Sequence, residues 1–410
     1  MNILLINHYA GSPDMGMEFR PYYFARKWVE YGHHVDIIAA DFSHLRMKNP
    51  EIQRDFQTEE TDGIVYHWIK AGRYEGNGVK RAFTMFRFVG KLWRNAGKIA
   101  REWKPDVVIT SSTYPLDTYA GQKIARLSKA KLIHEVHDMW PATLIELGGM
   151  SKYNPFIIML QVAENSCYRH SDHVVSLLPL AKEHMIRHGM KPEKFVEIPN
   201  GIFLEDWEEP EPLPAGQKEV LEALKAEGKF IVGYFGGHAL SNALDILLDT
   251  AKIIRWEEVA FVLVGNGVEK PRLMRRAKEE GIKNVHFLDA VPKKAIPNLV
   301  PYFDCSYTGA LKSSLYRFGI SENKMYDSMM AGIPILCAVD IPHLVIEKYQ
   351  CGINIKGADI DRVAEGIKDF YRMSEQERAE MGERGKQAVL KYFTHDILAE
   401  KFESLFAKEG

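Results

Sequence analysis

Cysteine is scarce in this chain: four among 410 residues, Cys167, Cys305, Cys337 and Cys351, none at the close paired spacing of a zinc knuckle. That scarcity excludes a disulfide framework and leaves buried, reduced thiols as the expectation. An excess of one charge is also missing, because 53 basic residues nearly balance 55 acidic ones and the formal net charge is −2. General attraction to nucleic acid is thereby excluded. Long apolar runs are lacking too: the stretch from Phe156 to Leu160 is the longest worth testing, against the roughly 20 residues that a membrane-crossing helix needs. The chain opens on Ile3-Leu4-Leu5-Ile6 without a basic leader, so a cytoplasmic protein is expected. Low-complexity tracts and short-period repeats are absent.

What is present is regular. With 46% hydrophobic and 26% charged residues the composition is that of a globular protein. Its length exceeds one ordinary core, so two domains of roughly 200 residues each are expected. Ile3–Asn7, Val35–Ala39, Asp106–Ile109, Leu132–Val136 and His173–Leu177 read as strands of a first unit, with a helix over Phe19–Tyr31. The same grammar restarts with Phe230–Phe235, Ala260–Val264, Asn284–Leu288, Cys305–Tyr307 and Ile333–Cys337. Alternation of this kind predicts an α/β fold of two Rossmann-like, doubly wound units facing a cleft. Between them, Ile198-Pro199-Asn200-Gly201-Ile202 is followed by Glu208-Glu209-Pro210-Glu211-Pro212-Leu213-Pro214, a proline and acid stretch that suits neither a helix nor a central strand, and the linker is expected there. Asp396–Phe406 reads as a closing helix.

The most informative stretch runs from Phe318 to Leu336. A small, polar loop from Gly319 opens directly into a helix pattern that stops at Gly332, so unpaired N–H groups around Ser321, Glu322 and Asn323 offer a phosphate seat. Lys324 adds a cation at that helix end. Asp327, about a turn further on, suits the two hydroxyls of a ribose, and the layout fits a nucleoside diphosphate. Loops leaving the carboxyl ends of parallel strands line the ligand crevice in such folds, and three others qualify. In the Asn7–Arg20 loop, Gly16 allows close backbone approach and Arg20 offers an anion partner, although a plain strand-to-helix turn explains both. Gly236, Gly237 and His238 end another strand before a helix expected from Ser241 or Asn242, with a tight turn as the alternative. His137 and Asp138, followed by Trp140-Pro141, are the candidates for chemistry, whereas His134 and Glu135 read as structural hydrogen bonders. Asp359-Ile360-Asp361 reads as a helix cap and not as a metal site.

The Gly319–Asp327 loop resembles the donor-binding signature of the retaining, group 1 glycosyltransferases of the GT-B fold, which build bacterial surface polysaccharides and glycolipids. The likeness extends from Met1 to about Phe406. Asp327 stands where that family's second, ribose-binding acid sits, and Gly319 where its first acid would be. This variation matches an aminosugar-transferase-like subgroup whose loop reads Gly-x-Ser-Pro-Asn-Lys, with Glu322 here in place of the proline. The resemblance implies a UDP- or GDP-linked sugar donor, with Gly16 facing the diphosphate and His137 beside the transferred sugar. Many members place an Arg and a Lys on the diphosphate where this chain has Gly237 and Asn242, which leaves neutralisation to Lys324, the helix start and His238. No metal or other cofactor is expected beyond the donor. Residues 1–205 are expected as the acceptor-side domain and 206–392 as the donor domain, with a last helix at 393–410 crossing back onto the first. A saccharide or lipid-linked hydroxyl is the implied acceptor. Two alternatives stand beside it: a nucleotide-sugar 2-epimerase, which shares the two-domain fold, and a non-catalytic nucleotide-sugar-binding partner subunit.

One surface feature remains, between residues 79 and 104. Phe83, Phe86, Trp93, Ala96, Ala100 and Trp103 recur at helical spacing beside a stripe of Arg87, Lys91, Arg94, Lys98 and Arg101. A helix packed on its own sheet with a solvated basic edge explains this. The sharper reading is peripheral contact, at the inner membrane face, with anionic lipid or a lipid-linked acceptor.

Overall fold

In the computed structural model, which describes every residue except 17–18, 77, 255–257, 342–344, 358 and 408–410, the chain folds as two units. The first is Met1–Pro199 with His395–Gly410, and the second is Asn200–Thr394.

The first unit is built on β1 (Asn2–Ile6), β2 (His34–Ala40), β3 (Gln57–Thr61), β4 (Ile64–Ile69), β5 (Val107–Thr110), β6 (Lys131–Val136), β7 (His173–Ser176) and β8 (Phe195–Glu197). They form one sheet in the order β3-β4-β2-β1-β5-β6-β7-β8, parallel except for β3 against β4. Ile3, Leu4, Leu5 and Ile6 are all buried, as expected of a central strand covered by helices on both faces. One face packs Leu4, Ile6 and Val108 against Phe88, Leu92, Ala96 and Ile99 of the Val79–Glu102 helix and Ile124 of the Thr118–Ser128 helix. After β1 the sheet grows one way through β2 and β4, then the other way from β5, so its topological switch point lies between β1 and β5.

The second unit repeats this plan with β9 (Phe230–Phe235), β10 (Val259–Val264), β11 (Val285–Leu288), β12 (Cys305–Gly309), β13 (Ile335–Ala338) and β14 (Gly352–Asn354). Its order is β11-β10-β9-β12-β13-β14, parallel throughout, and the switch point falls between β9 and β12. The four cysteines are free and buried.

Several expectations need correction. The β3–β4 hairpin is unanticipated, although Asp62-Gly63 turns it with φ of +52° and +78°, the chemistry of a tight two-residue turn. The chain crosses between units at Pro199–Asn200, in the Ile198–Ile202 part of the expected linker, whereas Glu208–Pro214 lies inside the second unit, where the Glu211 N–H donates to the Lys294 carbonyl (2.9 Å). Of the apolar stripe read between 79 and 104, Ala96 and Ala100 are buried but Phe83, Phe86 and Trp93 are exposed, and the packed face is carried by Met85, Phe88, Leu92 and Ile99. The final helix is His395–Glu403, and Trp28 of the Phe19–Glu30 helix meets Phe402 and Phe406 with ring centroids 5.2 Å away in each case. Residues 408–410 of the expected last helix lie outside the described residues.

Candidate functional site

At the carboxyl ends of β1, β5 and β6 the first unit gathers a buried polar network centred on Glu135. This residue sits in β6, 1% exposed, and accepts a hydrogen bond from Arg20 Nε (2.9 Å) and from the Ser111 hydroxyl (2.6 Å). His137 Nε2 lies 3.0 Å from the same carboxylate and 2.7 Å from Ser111 Oγ. Burial works to raise the Glu135 pKa, but the Arg20 guanidinium, His137 and the hydrogen bonds of His137 and Ser111 outweigh it and hold the carboxyl well below the usual range. An ionised carboxylate only accepts, so the His137 Nε2–H and the Ser111 O–H both point inward, and Nδ1 lies on the other edge of the ring. Glu135, read from sequence as a structural group, is thus what orients His137. The missed signal was the alternation along β6: Glu135 and His137 are two residues apart and share a face.

Arg20, expected on a phosphate, is committed to the protein. Besides Glu135, it donates to the carbonyls of Ile198 and Pro199, both at 2.7 Å. Asp138, expected beside His137 in the chemistry, instead accepts from the Met139 N–H (2.8 Å) and the Thr143 hydroxyl (2.7 Å), fixing the turn that follows β6. His134 is buried against Thr110 Oγ1 (3.0 Å), and burial pushes its pKa down to about 4. Gly16 closes the Pro13–Met15 turn at φ +67°, where a Cβ would stand 2.9 Å from Met47 Cγ; Met17 and Glu18 lie outside the described residues.

In the second unit the carboxyl ends of β9 and β10 are two glycine loops packed backbone to backbone. A Cβ on Gly265 would lie 1.9 Å from the Gly236 carbonyl oxygen, and one on Gly267 would lie 2.4 Å from that of His238. Only glycine fits at either place. The Gly237 carbonyl accepts from Tyr234 Oη (2.6 Å) and Asn242 Nδ2 (2.7 Å), and the His238 N–H donates to the Asn266 carbonyl (2.9 Å). Chain direction then passes through a short Leu240–Asn242 turn before the helix begins at Leu244. His238 is buried, and its ring nitrogens make no hydrogen bond among the described residues. Burial, then the nearby charge of Lys270, brings its pKa down to about 4.

Beside these loops starts the Asn323–Met330 helix, whose N-cap residue, Glu322, makes no side-chain cap. Its first amides are therefore left for another acceptor. Lys324 Nζ lies 3.0 Å from Glu322 Oε2, 3.3 Å from Asn242 Oδ1 and 4.9 Å from the Tyr234 ring centroid. Burial works against its charge, but Glu322 and Tyr234 more than offset this and hold the ammonium protonated. Ser321 is held by Asn200, whose N–H donates to its hydroxyl (2.8 Å) and whose side-chain amide donates to its carbonyl (2.6 Å). Asp327 is buried with both carboxylate oxygens on Lys293 Nζ, at 2.7 and 2.8 Å. Lys293 was not anticipated, because 34 residues separate it from Asp327 and only the fold joins them. Asp359 caps the Ile360–Arg372 helix, accepting from the Arg362 N–H at 3.1 Å.

The family profile described as "Glycosyl transferase 4-like domain" matches residues 15–201, and that described as "Glycosyl transferases group 1" matches residues 217–388. The "Putative colanic acid biosynthesis glycosyl transferase WcaI" of Escherichia coli K12 is 25% identical over 212 residues, which make up 50% of this chain and 51% of that relative. The match thus spans about half of each protein. Among solved structures, sucrose-phosphate synthase of Thermosynechococcus elongatus superposes with a TM-score of 0.76 at 15% identity, covering 99% of this chain and 98% of that one. HepE of Anabaena, in complex with UDP and glucose, gives 0.67 at 15% identity over 98% of each. These structural likenesses show a shared fold. With one profile on each unit and both units wound alike, the chain belongs to the group 1 glycosyltransferases and has the GT-B fold.

Proposed function

We propose that this protein transfers a sugar from a UDP- or GDP-linked donor to an acceptor hydroxyl with retention of configuration, in the assembly of a surface polysaccharide or glycolipid. The observation that carries the reading is the uncapped start of the Asn323–Met330 helix with Lys324 lodged beside it. A diphosphate there accepts from the free amides and competes with Glu322 for the ammonium. Departure of that diphosphate leaves an oxocarbenium-like sugar, so stabilising the charge on the leaving group is the main catalytic task, and Lys324 performs it. Asp327 keeps unused lone pairs despite Lys293, and these accept from the ribose hydroxyls. His137, held by Glu135, offers Nδ1 to a hydroxyl of the transferred sugar. The leaving phosphate itself takes the acceptor's proton on the same face, which gives retention without a covalent enzyme intermediate. HepE, crystallised with UDP and with UDP-glucose, supports the donor class, and the name of WcaI supports the polysaccharide setting.

Titration calorimetry with UDP and GDP tests the reading. One nucleotide binds the intact protein, and Asp327→Asn weakens it about tenfold, the loss of one charged hydrogen bond. Equal affinity in the variant would remove Asp327 from the ribose site, and no binding of either nucleotide would overturn the donor assignment.

A further inference from the structure

The first unit holds a second polar cluster that shares no residue with the network around Glu135. Glu164, on the Pro155–His170 helix, is 2% exposed and faces the Lys182–Arg187 helix. Its Oε1 lies 3.1 Å from His184 Nε2 and accepts from the Tyr168 hydroxyl at 2.9 Å. A buried carboxylate calls for a fixed cation, yet among the described residues its one ion pair is with the imidazole of His184. His188 follows His184 by one helical turn, so the two rings share a side of the short helix, centroids 4.3 Å apart. The hydrogen bonds around this cluster do not close. Gln161 Nε2 lies 2.5 Å from Glu164 Oε2, 2.9 Å from Asn165 Oδ1 and 3.0 Å from His188 Nδ1, while that Nδ1 lies 3.1 Å from Asn165 Oδ1. An amide group has two protons and cannot serve three lone pairs. Placing a proton on His188 Nδ1 satisfies Asn165 but sets two donors 3.0 Å apart. Turning the Gln161 amide over sets its oxygen against the carboxylate instead. Acceptors are in surplus here, which is what a cation site presents.

Independently of sugar transfer, we propose that Glu164, His184 and His188 form a zinc site that fastens the Lys182–Arg187 helix to the Pro155–His170 helix. One ligand atom from each of the three residues lies within 4.8 Å of the other two. A tetrahedral zinc ion with arms of about 2.0–2.2 Å needs its ligand atoms roughly 3.3 Å apart. Glu164 and His184 already meet that spacing, and a turn of the half-buried His188 ring brings in the third ligand. The ion takes the lone pairs of Glu164 and His188 and leaves the Gln161 amide to Asn165, which ends the conflict over its protons. Two imidazoles beside one carboxylate select zinc over magnesium or calcium, which favour oxygen ligands. The Tyr168 hydroxyl is the outer partner that orients a ligating carboxylate. A six-residue helix is marginal by itself, and the metal gives it an anchor.

Titration calorimetry with zinc chloride tests the site without any sugar donor, on the intact protein first stripped with EDTA. Zinc should bind at one ion per chain and, at a free concentration about 100 times Kd, raise the melting temperature by roughly 5 °C. Magnesium and calcium should do neither. His188→Ala should weaken zinc binding by more than about 100-fold, since it removes a ligand, and Tyr168→Phe by about tenfold, the scale of a lost outer partner. Cobalt(II) added to the parent protein should show the intense visible absorption of a tetrahedral ion and no thiolate charge-transfer band, a readout that does not depend on how either variant folds. Four results would each overturn the proposal: no stoichiometric zinc on the parent protein, His188→Ala binding zinc as tightly as the parent, magnesium raising the melting temperature as zinc does, or a cobalt spectrum that is octahedral or carries a thiolate band.

Discussion

The two units wind their sheets alike yet finish their strands with opposite chemistry. In the first, the carboxyl ends converge on a buried carboxylate, Glu135, whose charge is closed off by Arg20, Ser111 and His137. In the second they end in glycine loops beside an uncapped helix and two lysines, Lys324 and Lys293, each paired with one acid. Topology fixes where a site can form, and the residues past the strand ends decide which charge it receives. The first unit's charges order an imidazole, while the second unit's stand at an uncapped helix start.

This contrast can be broken in three places, taken from the largest expected effect downward. Glu135→Gln should cost about 3–5 kcal/mol of stability in urea unfolding, because it strands the buried Arg20 cation. Adding Arg20→Met should recover part of that loss, and a single variant as stable as the parent protein would mean that the Arg20–Glu135 pair is not a buried ionic centre. Lys324→Ala should do the reverse, leaving the urea midpoint nearly unchanged while nucleoside diphosphate release in the presence of acceptor slows by about two to three orders of magnitude. Near-normal turnover would take Lys324 out of the mechanism. The third is a pH effect. His134 has its pKa pushed down to about 4 in the fold, against about 6.5 when unfolded. Between those values the unfolded chain binds a proton that the native state refuses, so stability falls as pH drops from 6.5 to 4, by roughly 3 kcal/mol. Loss of the Glu135 contribution follows further into acid, since its carboxyl is held low. His134→Asn should flatten the upper part of this limb, and parallel curves for variant and parent would refute the assignment.

Much of the fold was legible because buried parallel strands are written as short apolar runs; Phe230–Phe235 was read to the residue. The β3–β4 hairpin escaped because Gln57–Thr61 is polar at every position and largely exposed, so only the Asp62-Gly63 turn announced it. Lys324 and Asp327 could be placed on the first turns of a helix because a helix start is a local signal. Their neighbours were not: Lys293 and Asn200 reach Asp327 and Ser321 only through tertiary structure. Arg20 shows the same limit from the other side, since an arginine at the start of a helix gives no sign in sequence that a strand 115 residues away will claim it.

One detail of the crossover between units carries a mechanical consequence. The Pro199 carbonyl and the Asn200 N–H belong to the same rigid peptide plane, and Arg20 grips the first while Ser321 grips the second. Such a plane works like an axle clamped at both rims: it cannot turn without letting go of one of them.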